Sequence, residues 1–270
     1  MYIILYKYLE LIGRAHMSIG ITLMGLFVGF LVGLTGVGGA ALLTPVLILI
    51  GVNPSIAVGT DLVYNSITKF FGLFQHWRQK TVNFQMVKLL ALGSIPSAVV
   101  AIASLHYFEA SYHNQEQIIR HALGYILIIV SLAIIIRTFV EKKIRPNRWQ
   151  LKPLKEKKAL TIFIGCLFGF IVGLTSLGSG SLFAVAMIYL YQMKTSEMVG
   201  TDITHAFLLV TVAGLLHISY GNVNYMLVGN LLLGSIPGVL VGSSISAKVP
   251  TRPLRTIVAV LIFVSGLKLI

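Results

Sequence analysis

Residues 31–42 read LVGLTGVGGAAL, and residues 171–182 read IVGLTSLGSGSL. Each phrase lies inside a long apolar run, 17–51 and 159–192. A continuous helix over about 34 residues would measure about 50 Å, which overshoots a hydrocarbon core of roughly 30 Å. Tightly spaced glycine weakens a helix and frees φ and ψ for an unwound turn. Both runs are therefore predicted to break at the phrase, either as an interrupted helix or as a re-entrant hairpin. In hydrocarbon, unwound backbone is tolerated where protein buries it or where it lines a wet cavity. The N–H groups that open the helix after a break point a positive dipole end at such a cavity, and an anion is the natural guest. Thr35, Gly36, Gly38 and Gly39, with Thr175, Ser176, Gly178 and Ser179, are the candidate substrate-binding positions. A plain kink between packed helices is the alternative.

The rest of the composition agrees with a membrane setting. Hydrophobic residues make up 56 % of the 270, charged residues 11 %, and the mean hydropathy is +0.89. Too few polar side chains remain to cover a soluble globule. Lys and Arg outnumber Asp and Glu by 21 to 8, yet nine of the basic residues fall between Arg137 and Lys158. A clustered connector of this kind reads as a cytoplasmic loop next to anionic lipid, not as a nucleic-acid site. The single cysteine, Cys166, supports neither a disulfide nor a thiolate metal site, and no cofactor or metal is called for. No Ser-His-Asp set, HExxH or Walker lysine loop appears, so an enzyme is not indicated. Lys7 and Arg14 before an apolar run mimic a signal peptide, but the glycine pattern that follows recurs after residue 160 and so belongs to the fold.

That recurrence runs through the chain. Gly25, Gly29 and Gly33 return as Gly165, Gly169 and Gly173; Val58-Gly59-Thr60-Asp61 returns as Val199-Gly200-Thr201-Asp202. His76 matches His217, Asn83 matches Asn224, and Gly93-Ser94-Ile95-Pro96 matches Gly234-Ser235-Ile236-Pro237. The expected fold is an all-α integral membrane protein of two homologous halves, each with four hydrophobic segments. Residues 1–16 form an N-terminal lead-in, 17–137 the first repeat, 138–158 the basic loop and 159–270 the second repeat. If each over-long first segment folds back, the number of crossings per half is odd and the halves are inverted. The charges flanking the segments change sides between halves, as inversion requires.

The Gly-x3-Gly-x3-Gly series is read as a helix-packing face. Asp61 and Asp202 are costly in a membrane helix and invite an ion-coupling role, but each lies near a helix start and could instead cap it. Asp61, Asn65 and Lys69 share one helical face. Lys69 could neutralise Asp61 through Asn65, receive an anionic substrate, or only fix packing. His205 lies one turn beyond Asp202 as a proton partner.

The duplicated glycine phrase, the V-G-T-D that follows it, and the H…V-N and G-S-I-P phrases together resemble the TauE/SafE family of membrane transporters, the sulfite exporter group. The resemblance spans about residues 20–266. It implies a multi-pass permease of a prokaryotic cytoplasmic membrane that moves a small sulfur-containing or organic anion such as sulfite or a sulfonate. It also implies drive by a gradient of H⁺ or Na⁺. The expected partners are then the anion, the coupling ion and membrane lipid, with no nucleic acid, and a homo-oligomer is left open. A passive anion channel or an accessory membrane subunit are the competing readings.

Overall fold

The computed structural model describes residues 19–33, 40–111, 115–140, 148–177, 181–246 and 251–270. Expectations for Thr35, Gly36, Gly38, Gly39, Gly178, Ser179 and the lead-in 1–16 fall outside these residues. The described chain is all-helical. Its long helices are α1 (Ile19–Gly33), α3 (Pro54–Arg78), α4 (Phe84–Ser111), α5 (Gln115–Val140), α7 (Lys158–Thr175), α9 (Thr195–Ser219), α10 (Tyr225–Ser246) and α11 (Thr251–Leu269). Shorter pieces are α2 (Ala40–Leu49), α6 (Arg148–Leu151) and α8 (Ser181–Leu190). Among the described residues four helices are long and apolar enough to cross a membrane: Phe84–Tyr107, Leu154–Thr175, Ser196–Ser219 and Tyr225–Ile245.

The second over-long apolar segment is divided in two, α7 and α8, while the expected break of the first, between α1 and α2, falls outside the described residues. α7 ends at Thr175, and Ser176 adopts a left-handed conformation at φ 62° while its N–H still bonds the Val172 carbonyl at 2.7 Å. A non-glycine residue held there costs roughly 1–2 kcal/mol, so neighbouring contacts must sustain the turn. The chain then doubles back. Lys157 Nζ, just before α7, donates to the Leu190 carbonyl at the end of α8 at 2.9 Å, and lies over the Tyr191 ring at 4.5 Å. Thr161 and Tyr191 hydroxyls meet at 2.5 Å. The end of α8 therefore stands beside the start of α7, and the pair is a helical hairpin with its tip after Ser176. Burial pushes the Tyr191 phenol above its ordinary range, so it serves this contact as a neutral hydroxyl.

The glycine series sets how the rest assembles. Along α1, Gly25 faces Leu231, Gly29 faces Ser235 and Gly33 faces Val239 of α10; along α7, Gly165 faces Leu90, Gly169 faces Ser94 and Gly173 faces Ala98 of α4. A Cβ at Gly25 would stand 2.6 Å from the Leu231 carbonyl oxygen, so the backbones approach only because no side chain intervenes. Rising numbers on both helices mean that each pair runs in the same direction. α3 and α9 run oppositely: Ser66 meets Thr211 at 2.7 Å, Phe70 meets Phe207 with ring centroids 5.8 Å apart, and Gly72 faces Ile203. α5 and α11 do the same, with Gly124 against Gly266 and His121 Nε2 3.0 Å from the Ile270 carbonyl. Asn53 caps α3, while Asn83 and Asn224 accept from the Met86 and Leu227 N–H groups at the starts of α4 and α10.

Candidate functional site

α3 is the most telling helix. It carries Asp61, Asn65, Lys69, His76 and Arg78, and its first three turns are almost wholly buried. Asp61 is the eighth residue from the helix start and is fully enclosed. It does not cap α3, because Asn53 does so, its side chain accepting from Ser55 N at 3.0 Å. The same holds for Asp202, which lies equally deep in α9 behind Lys194 at the cap position. The capping reading is thereby corrected: a carboxylate two turns into a helix cannot reach the free N–H groups of the first turn.

Asp61 is instead the acceptor for three elements. Thr44 of α2 donates its hydroxyl to Oδ2 at 2.7 Å, Ser176 at the hairpin tip donates to the same oxygen at 2.8 Å, and Asn65 Nδ2 donates to Oδ1 at 2.7 Å. Thr44 and Ser176 are both fully buried, and Asn65 is 2 % exposed. Three donors on one buried carboxylate stabilise its ionised form in an apolar setting. Each such charge-assisted bond contributes roughly 1.5–3 kcal/mol. Ser176 holds its strained backbone at this contact, so the hairpin tip is fixed by a side chain from the other repeat.

Of the three readings of Lys69, a relay to Asp61 through Asn65 is not formed among the described residues. Asn65 does bind Asp61, but it passes nothing on to Lys69, which makes no hydrogen bond or ion pair among the described residues. It is partly buried and stands within the electrostatic reach of Asp202 first and Asp61 second. The lysine of one repeat thus answers to the carboxylate of the other. His205 is fully buried and is bonded through Nε2 to Ser94 of α4 at 2.8 Å, with its ring against Phe183 at 4.5 Å. It is not paired with Asp202 by any such bond. His217 is also buried, while His76 Nδ1 lies 2.9 Å from Thr81 Oγ1.

Thr175 turns inward at the end of α7. Its hydroxyl donates to the Ile171 carbonyl at 2.7 Å and accepts from Leu177 N at 3.2 Å, so it serves the turn. The structure therefore gathers Asp61, Asn65 and Ser176 at one point, with Lys69 further along α3 and His205 on the far helix. Thr44 and Ser94 were not singled out from the sequence. Thr44 is one hydroxyl in the apolar stretch AALLTPVLIL, which carries no pattern of its own. Ser94 did carry a signal, its place in the repeated Gly-Ser-Ile-Pro phrase. Two further joints had also been visible as repeats: Thr60 Oγ1 accepts from Asn224 N at 3.1 Å, and Thr201 Oγ1 accepts from Asn83 N at 3.0 Å. Among the described residues no cluster of three metal-ligating side chains occurs.

Comparison with known proteins agrees with this architecture. The family model described as "Sulfite exporter TauE/SafE" matches residues 21–269. A "Probable membrane transporter protein YjnA" of Bacillus subtilis (strain 168) is 69 % identical over 254 residues, covering 94 % of this chain and all of the relative. YunE of the same organism, also a "Probable membrane transporter protein", is 24 % identical over 93 % of this chain and 96 % of its own. A "Probable membrane transporter protein MJ0441" of Methanocaldococcus jannaschii is 24 % identical over 91 % of this chain and 92 % of its own. No solved structure matches. With a family model spanning nearly the whole chain and such a relative over its full length, the chain belongs to the TauE/SafE family of membrane transporters.

Proposed function

We propose that this chain is a secondary transporter for a small anion, sulfite or a sulfonate being the first class to test, coupled to an H⁺ or Na⁺ gradient across a prokaryotic cytoplasmic membrane. The observation that carries the reading is a buried carboxylate bonded to a helical-hairpin turn, with a lysine two turns further along the same helix that has no hydrogen-bonded partner among the described residues. Lys69 offers the positive charge an anion needs, and the helix starts that follow the two glycine phrases are proposed to add backbone N–H groups from both repeats. Asp61, Asp202 and His205 are the groups able to carry coupling charge. The two repeats are proposed to be inverted about an axis in the membrane plane. What supports this is that the equivalent helices α3 and α9 run antiparallel against each other, as do α5 and α11. The α7–α8 hairpin returns to its own side, which leaves an odd number of crossings in its half.

The test is direct. Purified chain in liposomes should move radiolabelled sulfite down and then against its gradient when an H⁺ or Na⁺ gradient is imposed. Lys69→Met should abolish that flux while the protein still inserts and runs as a single species. Unchanged flux in Lys69→Met would assign the lysine to packing, and flux that never runs uphill would make the chain a channel.

A further inference from the structure

The two hydroxyls that reach Asp61 come from different repeats, and both land on one oxygen. Thr44 belongs to α2 in the first repeat, and Ser176 to the turn that ends α7 in the second. Ser176 is the residue forced into a left-handed turn, and Leu177 beyond it is fully buried. The counterparts in the other repeat cannot make the same tie. Gly36 stands where Ser176 would, Ala184 or Val185 where Thr44 would, and Ala206 where Asn65 would. The three donors on Asp61 thus have no hydroxyl or amide at the equivalent positions of the other repeat.

We infer that Asp61 is a proton-operated latch that joins α2 to the α7–α8 hairpin and releases the hairpin tip when its carboxylate takes up a proton. The inference rests on the transporter reading and names the coupling ion and the moving part. Oδ2 of the ionised carboxylate accepts two hydroxyl protons. Once it carries a proton itself it must donate, so the two hydroxyls can no longer both donate to it. Thr44 has a ready alternative in the Ala40 carbonyl one turn back in its own helix. Ser176 lies past the end of α7 and loses the contact that holds its strained backbone. The proton comes from the aqueous phase to which the site is open and leaves to the other. Its uptake removes one of the two negative charges that act on Lys69, and an anion entering beside Lys69 restores the balance. One proton and one monovalent anion then cross together.

The charged and titratable surroundings of Asp61 are few. Lys69 acts on it from two turns along α3, and Tyr64 is the other titratable group of α3 that it influences. α2 carries no titratable side chain, nor do the last turns of α7 or the first turns of α8. α9 brings Asp202, which acts on Lys69, His205, which is bonded to Ser94, His217, which is buried beside Gly59, and Glu197 in its first turn, which accepts from Asn83. α10 has only Tyr225, which is exposed, and α5 holds Glu116, Arg120, His121 and Arg137 towards its ends.

Leu177→Cys in a Cys166→Ser chain, reconstituted in liposomes, reports the latch without any substrate. Its reaction with maleimide, normalised at each pH to the same protein unfolded in detergent, should rise several-fold from alkaline to mildly acidic buffer. Adding Asp61→Asn or Ser176→Ala should leave it high and independent of pH, and Asp61→Glu should restore the response with a shifted midpoint. A flat profile in the parent, or a pH response that survives Asp61→Asn, overturns the latch. Should Asp61→Asn fail to fold, Ser176→Ala decides, since it keeps the carboxylate and removes only the tie. Sulfite flux without a pH response at Leu177→Cys would reject the latch and keep the transporter. A pH response in a chain that moves no sulfite would count against the transporter reading alone.

Discussion

α3 and α9 begin from the same phrase, Val-Gly-Thr-Asp, and part company one turn later. Where α3 has Asn65 and Lys69, α9 has Ala206 and Val210. What they retain in common is structural: Thr60 and Thr201 each accept the N–H of the asparagine that precedes the opposite repeat's next helix. What they do not share is the polar content of the interior. Asp61 is met by three side-chain donors from three places, whereas the positions equivalent to those donors carry no hydroxyl or amide. The duplicated joints fix the frame, and the unmatched side chains make its interior unequal between the repeats.

The largest effect should come from filling the helix contacts that both repeats depend on. A Cβ at Gly169 would meet the Ser94 backbone and lie 2.6 Å from Ser97 Oγ. Gly29 meets Ser235 in the same way on the other side. Gly169→Leu and Gly29→Leu should each cost well over the ~1–3 kcal/mol typical of overpacking, because backbone cannot step aside. Size-exclusion chromatography in detergent should show both variants lost as monodisperse protein. Gly229→Ala, with nothing within 4 Å of the added carbon, should elute as the parent does. A well-behaved Gly169→Leu beside a collapsed Gly29→Leu would show that the two contacts are not equivalent.

The next effect separates the aspartates. Asp61→Ala leaves three buried donors unmatched at about 1–3 kcal/mol each, while Asp202 is only partly buried. Thermal unfolding in detergent should therefore fall further for Asp61→Ala than for Asp202→Ala. Equal losses would mean that Asp202 is tied as firmly as Asp61 and would erase the asymmetry.

Much of this contrast was legible in the sequence, and the part that was not has a physical reason. The break after α7 showed itself because a membrane span has a fixed length and glycine is conspicuous within it. The packing faces showed themselves through spacing alone. The asymmetry at positions 65 and 69 was also plain once the repeats were aligned. The partners of Asp61 were hidden because Ser176 is 115 residues away and Thr44 sits in a featureless apolar helix. Local periodicity reports which face of a helix is polar, not which distant hydroxyl will fill its hydrogen bonds. The capping reading failed for a related reason: the helix start is set by Asn53 and Pro54, which lie upstream of the apolar pattern used to place it.

The smallest effect tests whether the shared joints are as equal as they look. Thr60→Val and Thr201→Val each remove the acceptor of one asparagine N–H, a loss of about 1 kcal/mol where water can partly replace it. The two sites lie in different parts of the bundle, so the double variant should lose the sum. One difference breaks the match: Asn83 also donates through its side chain to Glu197 at 3.1 Å, and the position equivalent to Glu197 in the first repeat is Ile56. The loop before α4 thus keeps a second tie to α9 when Thr201 is changed, and Ile56 cannot offer the loop before α10 the same tie. Thr60→Val should therefore lower the unfolding temperature slightly more than Thr201→Val, and Glu197→Gln combined with Thr201→Val should close the gap. If Thr201→Val proves the costlier of the two, the Glu197 contact contributes little, and the joints must be held unequally by the helices they connect.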